Sequence, residues 1–114
     1  MRLQKIVNRL QKLHPKEIDL SLGRIKTLCK KLGTPQDKVK AINFVGTNGK
    51  NSTIQACYSI LEDAKIKCNV YTSPHIQKIN ERFVFNNQQL KDEELASLFE
   101  KVEKINKNEK ITFI

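Results

Sequence analysis

The chain has 114 residues, of which 39% are hydrophobic and 29% are charged, and its formal net charge is +9. This length predicts one domain or less, and the hydrophobic fraction is typical of a globular rather than a disordered protein. A run of about 18 apolar residues is absent, so no transmembrane helix is expected. The lysines are spread along the chain without the arginine-rich run typical of nucleic-acid binding.

The first part of the chain predicts two helices. Residues 3–13 carry apolar residues at helical spacing, which predicts an amphipathic helix. This segment lacks the continuous apolar centre of a signal peptide, so a cytoplasmic protein is expected. Residues 24–32 predict a second helix, which Gly33 would cap and Pro35 would end. We interpret residues 1–40 as an N-terminal helical leader.

A strand, a turn and a helix follow in that order. The run AINFV at 41–45 contains β-branched and aromatic residues and is bounded by Gly46, which predicts a buried strand. Helical spacing returns over 52–64, and KCNVY at 67–71 predicts the next strand. This order predicts a parallel pair of strands joined by a right-handed crossover.

The last third predicts a hairpin, a helix and another strand. RFVF at 82–85 and the residues near Leu90 flank NNQQ, which predicts a hairpin. Residues 92–106 predict a helix whose acidic first turn suits the helix dipole, and ITFI at 111–114 predicts a core strand. The elements together predict an α/β fold, with a mainly parallel sheet and flanking helices.

The turn after the first predicted strand has the composition of a phosphate-binding loop. Gly46 and Gly49 would let backbone N–H groups approach a ligand, and the helix start would add positive potential. Lys50 could reach the outer phosphates, while Ser52 or Thr53 could offer a hydroxyl to Mg²⁺ or a phosphate oxygen. The spacing matches the common P-loop only in part. The residues alone therefore also fit a glycine-rich connection with an exposed lysine.

Four segments resemble one known family. GTNGKNS resembles the GTNGKGS P-loop of the folylpolyglutamate synthase/dihydrofolate synthase family, within the Mur ligase superfamily. HPKEIDLSLGRIKTLCKKLGTPQ, VYTSPHI and INERFVFNNQQL resemble, in family order, its leader, its YTSPHL loop, and its NERI strand with the following hairpin. The resemblance implies a P-loop NTPase-like fold and the N-terminal part of a Mur-ligase-type ATPase domain. Residues 41–114 would then be an incomplete ATP-binding domain.

The resemblance also implies site residues. Lys50 would be the catalytic residue, near the β- and γ-phosphates of ATP. The implied ATP-binding residues are Gly46, Thr47, Asn48, Gly49, Lys50, Asn51, Ser52 and Thr53. Ser73 would place its hydroxyl on a Mg²⁺ ion at the γ-phosphate, although a serine before proline also commonly caps a turn. The implied substrate-binding residues on the pterin side are Ile18, Asp19, Leu20 and Thr112.

Four other positions bear on this interpretation. Asn51 stands where the family has glycine, which costs little if the residue is helical but intrudes if the backbone contacts phosphate closely. We expect His75 to position its loop rather than transfer a proton. Glu81 and Arg82 could form an ion pair that fixes the loop or could contact substrate, and the sequence leaves both open.

The implied function is ATP-dependent ligation of L-glutamate to dihydropteroate or (tetrahydro)folate through an acyl phosphate. We expect the 114 residues to be inactive alone, because the family enzymes have a fuller ATPase domain and a C-terminal domain. The expected partners are these small molecules, with neither nucleic acid nor membrane, and a monomer is expected. The main alternative is a non-catalytic nucleotide-binding module, and a basic nucleic-acid-binding domain is the least favoured interpretation.

Overall fold

The computed structural model of the chain describes residues 1–14 and 21–113. The helices and strands among them, in chain order, are α1 (Arg2–Gln11), α2 (Gly23–Lys31), α3 (Lys50–Asp63), β1 (Val70–Tyr71), β2 (Phe83–Phe85), β3 (Gln88–Gln89) and α4 (Asp92–Asn106). Short 3₁₀ turns lie at Pro35–Lys38 and Ile79–Arg82. In this part of the chain, none of the helices has the length and apolar character needed to cross a membrane.

The chain divides into two compact units, which are Met1–Lys40 with Asp92–Ile114, and Ala41–Lys91. In the first unit, α4 packs against α1 and α2. The helices bury an apolar face made of Leu3, Ile6, Val7, Leu10, Leu28, Leu95 and Ala96. Arg2 pairs with Glu93 and Glu100, and Arg9 pairs with Glu103. Such exposed pairs contribute little, so the apolar face supplies most of the stability of this packing.

The second unit contains a three-stranded antiparallel sheet in the order β1-β2-β3. Val70 pairs with Val84 in the first ladder, and Val84 pairs with Gln89 in the second. The turn between β2 and β3 consists of Asn86 and Asn87, whose φ angles of 52° and 66° are both positive. Two-residue hairpin turns with two positive φ angles match the twist of the strands, and asparagine tolerates this conformation. The predicted hairpin is therefore confirmed.

All four predicted helices form, and the helix at 92–106 has the predicted bounds. The strand predictions were less accurate. The predicted strand at 41–45 is wrong, since these residues are irregular and Val45 is 92% exposed. The strand predicted at 67–71 is reduced to Val70–Tyr71, and residues 111–113 are not a strand.

The predicted parallel pair is not observed in residues 1–14 and 21–113. A parallel strand needs a neighbour that follows a crossover connection, and it is normally buried on both faces. Here β1 takes its hydrogen bonds from the β2–β3 hairpin instead, and the 41–45 run has no neighbouring strand. Asp92–Ile114 groups with Met1–Lys40 rather than with residues 41–91, because α4 packs on α1 and α2. The roles assigned to residues 1–40 and 41–114 remain predictions.

Candidate nucleotide-binding site

The turn before α3 depends on glycine at two positions. Gly49 is the residue before the helix and has φ 76° and ψ 4°, and Gly46 has φ 149°. Residues that carry a side chain rarely adopt such backbone angles, whereas glycine does so at little cost. A Cβ atom would meet nothing within 4 Å at either position. The glycines are thus required by the backbone conformation rather than by crowding, and the space beside the turn is open.

The backbone N–H groups of Gly46–Ser52 donate no hydrogen bond to another protein group in the described part of the chain. The first N–H group that is used belongs to Thr53, which donates to the Gly49 carbonyl at 3.0 Å. The free N–H groups of residues 50–52 belong to the first turn of the 14-residue helix α3. Free donors at a helix start carry positive potential and form a ready site for an anion.

The side chains of the turn differ in their availability. Lys50 is half-buried at the start of α3 and has no ion pair among the described residues. Ser52 is exposed, and its hydroxyl has no hydrogen-bond partner there. The Thr53 hydroxyl instead donates to the Gly49 carbonyl at 2.8 Å, which makes Ser52 the better candidate ligand. Asn51 is helical and exposed, which meets the condition under which asparagine costs little.

A second candidate element is the loop at 72–78, which carries Ser73. The Ser73 side chain is exposed, and it has no hydrogen bond within the described ranges. The loop is held by Glu81, whose carboxylate accepts three successive backbone hydrogen bonds. The donors are the N–H groups of Ile76 at 2.8 Å, Gln77 at 3.0 Å and Lys78 at 2.9 Å. These bonds stabilise the ionised carboxylate and lower the pKa of Glu81.

Arg82 holds the same loop from a buried position. Its Nε donates to His75 Nδ1 at 2.8 Å, and its Nη1 donates to the Tyr71 hydroxyl at 3.4 Å. Its carbonyl accepts a hydrogen bond from the Thr72 N–H at 3.0 Å. Glu81 and Arg82 therefore fix the loop through separate partners rather than through the ion pair considered above. The contact of His75 agrees with a loop-positioning role.

Sequence reasoning missed Tyr71 and Asn80 as parts of this arrangement. Asn80 is buried, and its Nδ2 donates to the Leu90 carbonyl at 2.9 Å. The available signal was that the polar residues 80–82 lie between the apolar residues Ile79 and Phe83. Polar side chains that are buried with apolar neighbours need hydrogen-bond partners within the protein. That signal indicates burial with hydrogen bonds but does not identify the partners.

The Glu81 contacts predict a pH dependence of the loop. Because the pKa of Glu81 is lowered in the folded chain, the carboxylate stabilises the loop fully above the unfolded pKa of about 4.3. This contribution should be lost as the pH falls through the lower, folded pKa. In an NMR titration, the amide shifts of residues 76–78 should move together below about pH 4.3. Glu81→Gln should remove this joint transition, and its persistence in that variant would contradict the assignment.

The other predicted residues are placed as follows. Ile18, Asp19 and Leu20 lie outside the described residues. Thr112 is exposed in the first unit, where its hydroxyl oxygen lies 3.5 Å from Arg24 Nη2. The glycine turn and Ser73 both belong to the second unit.

The described residues do not form a metal centre built by the protein alone. No group of three or more His, Cys, Asp or Glu side chains is arranged to hold a metal within residues 1–14 and 21–113. Mg²⁺ is commonly held by one or two protein oxygens together with phosphates and water. A single free hydroxyl such as that of Ser73 therefore fits a metal ion that a nucleotide brings with it.

Comparison with known proteins identifies relatives over most of the chain. No protein-family model matches it. The chain is 38% identical over 104 residues to the dihydrofolate synthase/folylpolyglutamate synthase of Haemophilus influenzae, covering 91% of this chain and 24% of that protein. It is 42% identical over 77 residues to the protein of the same description from Bacillus subtilis, covering 68% and 18% respectively.

The structure agrees with these sequence matches. It superposes on the apo form of the L. casei folylpolyglutamate synthase with a TM-score of 0.83 and 30% identity, covering 94% of this chain and 26% of that one. The fold is thus that of part of a synthase, and the chain resembles enzymes of this class. It belongs to the dihydrofolate synthase/folylpolyglutamate synthase family, and it spans about a quarter of the length of these relatives.

Proposed function

We propose that this chain supplies the ATP-binding part of a cytoplasmic, monomeric ligase that joins L-glutamate to dihydropteroate or a (tetrahydro)folate. The observation that carries the proposal is the row of free N–H groups at Gly46–Ser52, next to the Lys50 ammonium group. The relatives support the choice of reaction, because they are named as dihydrofolate and folylpolyglutamate synthases. In the whole protein, this chain would form part of a P-loop domain with a mainly parallel sheet and flanking helices.

The contribution of this chain to the reaction would be electrostatic. In the implied reaction, the acceptor carboxylate would take the γ-phosphoryl group of ATP and release ADP. The glutamate amine would then attack the acyl phosphate and release inorganic phosphate. The free N–H groups and Lys50 would hold the phosphates in place and offset the charge that gathers on their oxygens. Ser52 would offer its hydroxyl to the phosphates, and Thr53 would stabilise the turn through its bonds to the Gly49 carbonyl. Ser73 would coordinate Mg²⁺ at the γ-phosphate. Ile18–Leu20 and Thr112 would contact the pterin side of the acceptor.

A nucleotide series tests the binding proposal. ATP, ADP and AMP should bind the purified chain with decreasing affinity in calorimetric titrations without added metal, because the donors of the turn would face phosphates rather than the base. Equal affinity for the three nucleotides, or binding of none, would contradict the proposal. The same preparation, given ATP, L-glutamate and dihydropteroate, should form neither ADP nor ligated product, since the synthases it matches are about four times as long.

The alternative is a module that binds ATP or ADP without any role in turnover. One observation favours it. The described residues supply backbone N–H groups for a phosphate, but they contain no group of three or more His, Cys, Asp or Glu side chains that could hold a metal ion. The two proposals differ in what the coding region contains after residue 114. A reading frame that continues into the rest of the ATPase domain and a C-terminal domain would support the ligase, and an immediate stop codon would support the module.

A further inference from the structure

Most residues of the loop at 72–78 are exposed. Ile76 is 92% exposed, and Ser73, Pro74, Gln77 and Lys78 are exposed as well. Burial of apolar area therefore contributes little to its order. Its contacts come from two adjacent residues, Glu81 and Arg82, through hydrogen bonds to its backbone and to His75. The conformation of the loop consequently depends on polar contacts that single substitutions can remove.

Arg82 is the more unusual of the two residues. It is 8% exposed, yet it has no carboxylate partner among the described residues. A buried guanidinium is costly unless its N–H groups are used, and here they meet a ring nitrogen and a phenol. Because Arg82 Nε–H can only donate, His75 Nδ1 must accept, and the neutral ring then carries its proton on Nε2. The contact therefore fixes both the position and the tautomer of His75.

We propose that Arg82 is a positioning residue for Ser73, the candidate Mg²⁺ ligand of the nucleotide site. Through His75 it holds the loop so that the hydroxyl of Ser73, two residues away, can reach the Mg²⁺ ion of a bound nucleotide. This inference rests on the proposed function. Its physical basis is that side chains behind a metal ligand set the orientation of that ligand, and their loss typically lowers metal affinity.

The test compares ATP affinity with and without Mg²⁺ in three proteins. These are the unmodified chain, Arg82→Lys and Lys78→Gln. Arg82→Lys keeps the charge but lacks the Nε–H group and the planar fork. It should reduce the Mg²⁺-dependent gain in ATP affinity by about 10- to 100-fold and leave the metal-free affinity unchanged. Lys78→Gln removes a charge from the same loop but keeps the backbone bond to Glu81, so it should behave like the unmodified chain.

Two substitutions of His75 provide a second measurement that does not disturb the buried arginine. Asparagine places an acceptor oxygen near the position of Nδ1, whereas glutamine places a polar group near the position of Nε2. If Arg82 acts through Nδ1, His75→Asn should retain most of the Mg²⁺-dependent gain, and His75→Gln should lose it. The opposite order would mean that Nε2 contacts the ligand directly, and it would overturn the inference.

The remaining outcomes separate this inference from the proposed function. An equal loss of affinity with and without Mg²⁺ in Arg82→Lys would indicate general structural damage and would overturn the inference, as would the absence of any effect. ATP binding to the unmodified chain without any gain from Mg²⁺ would overturn the inference and leave the phosphate site intact. Failure of the unmodified chain to bind ATP would reject the proposed function and the inference together.

Discussion

Lys50→Ala should weaken ATP binding by about 10- to 100-fold. A hydrogen bond to a charged group contributes about 1.5–3 kcal/mol, which corresponds to an affinity change of this size. Lys50 stands at the first position of α3 beside the free N–H groups of the turn and has no ion pair in the part of the chain that the structure describes. Its ammonium group is therefore available to a phosphate. Isothermal titration calorimetry with ATP measures the change directly.

Lys67→Ala is the matched control for this prediction. Lys67 is exposed in the same unit and precedes β1, so its loss changes the net charge by the same amount. An exposed charge that does not contact the ligand is screened by salt, and about 0.15 M ionic strength limits its reach to about 8 Å. We expect little change in ATP affinity. An equal loss in both variants would indicate that the overall charge of +9 attracts ATP without a defined site.

The helices of this chain were predictable because their signal is local. The apolar residues of 3–13 and 92–106 repeat at helical spacing. Four of them in α1 and Leu95 in α4 are buried. The hairpin was predictable for the same reason, since Asn86 and Asn87 tolerate the positive φ angles of a tight turn. In each case a few neighbouring residues determine the outcome.

The strand predictions had no such local support. The run at 41–45 has the composition of a buried strand, but a strand also needs a partner whose position the run does not encode. β1 illustrates the same limit, because only two of its predicted residues are paired and the partner is the hairpin. Composition indicates where a strand can form, and non-local pairing decides whether it does and in which direction.

The glycine turn and the loop at 72–78 also differ in how far the sequence predicts them. The turn at 46–50 was predictable because its glycines, its lysine and the following helix are contiguous in sequence. The bond from Arg82 to His75 was not predictable, since it depends on how the chain returns after the loop. The sequence accordingly left Glu81 and Arg82 open between two roles. The structure gives each of them separate loop contacts.

Leu95→Ala should have the largest effect on stability, lowering the free energy of unfolding by about 2–5 kcal/mol. Leu95 is 1% exposed on α4, in the unit where α4 packs against α1 and α2. Its truncation would remove buried apolar atoms and leave a cavity that rigid helices cannot fully close. Domains are stable by only about 5–15 kcal/mol, so this loss is a large share of the total. Urea unfolding followed by circular dichroism gives the difference.

Leu98→Ala tests whether burial rather than helix propensity causes this effect. Leu98 lies on the same helix and undergoes the same chemical change, but it is 43% exposed. Alanine is the best helix former, so both substitutions favour the helix itself to the same small extent. Any difference between the two variants must then come from packing. Leu98→Ala should cost less than about 1.5 kcal/mol because less apolar area is lost and solvent fills the space. Equal losses at the two positions would mean that α4 does not bury its Leu95 face as described.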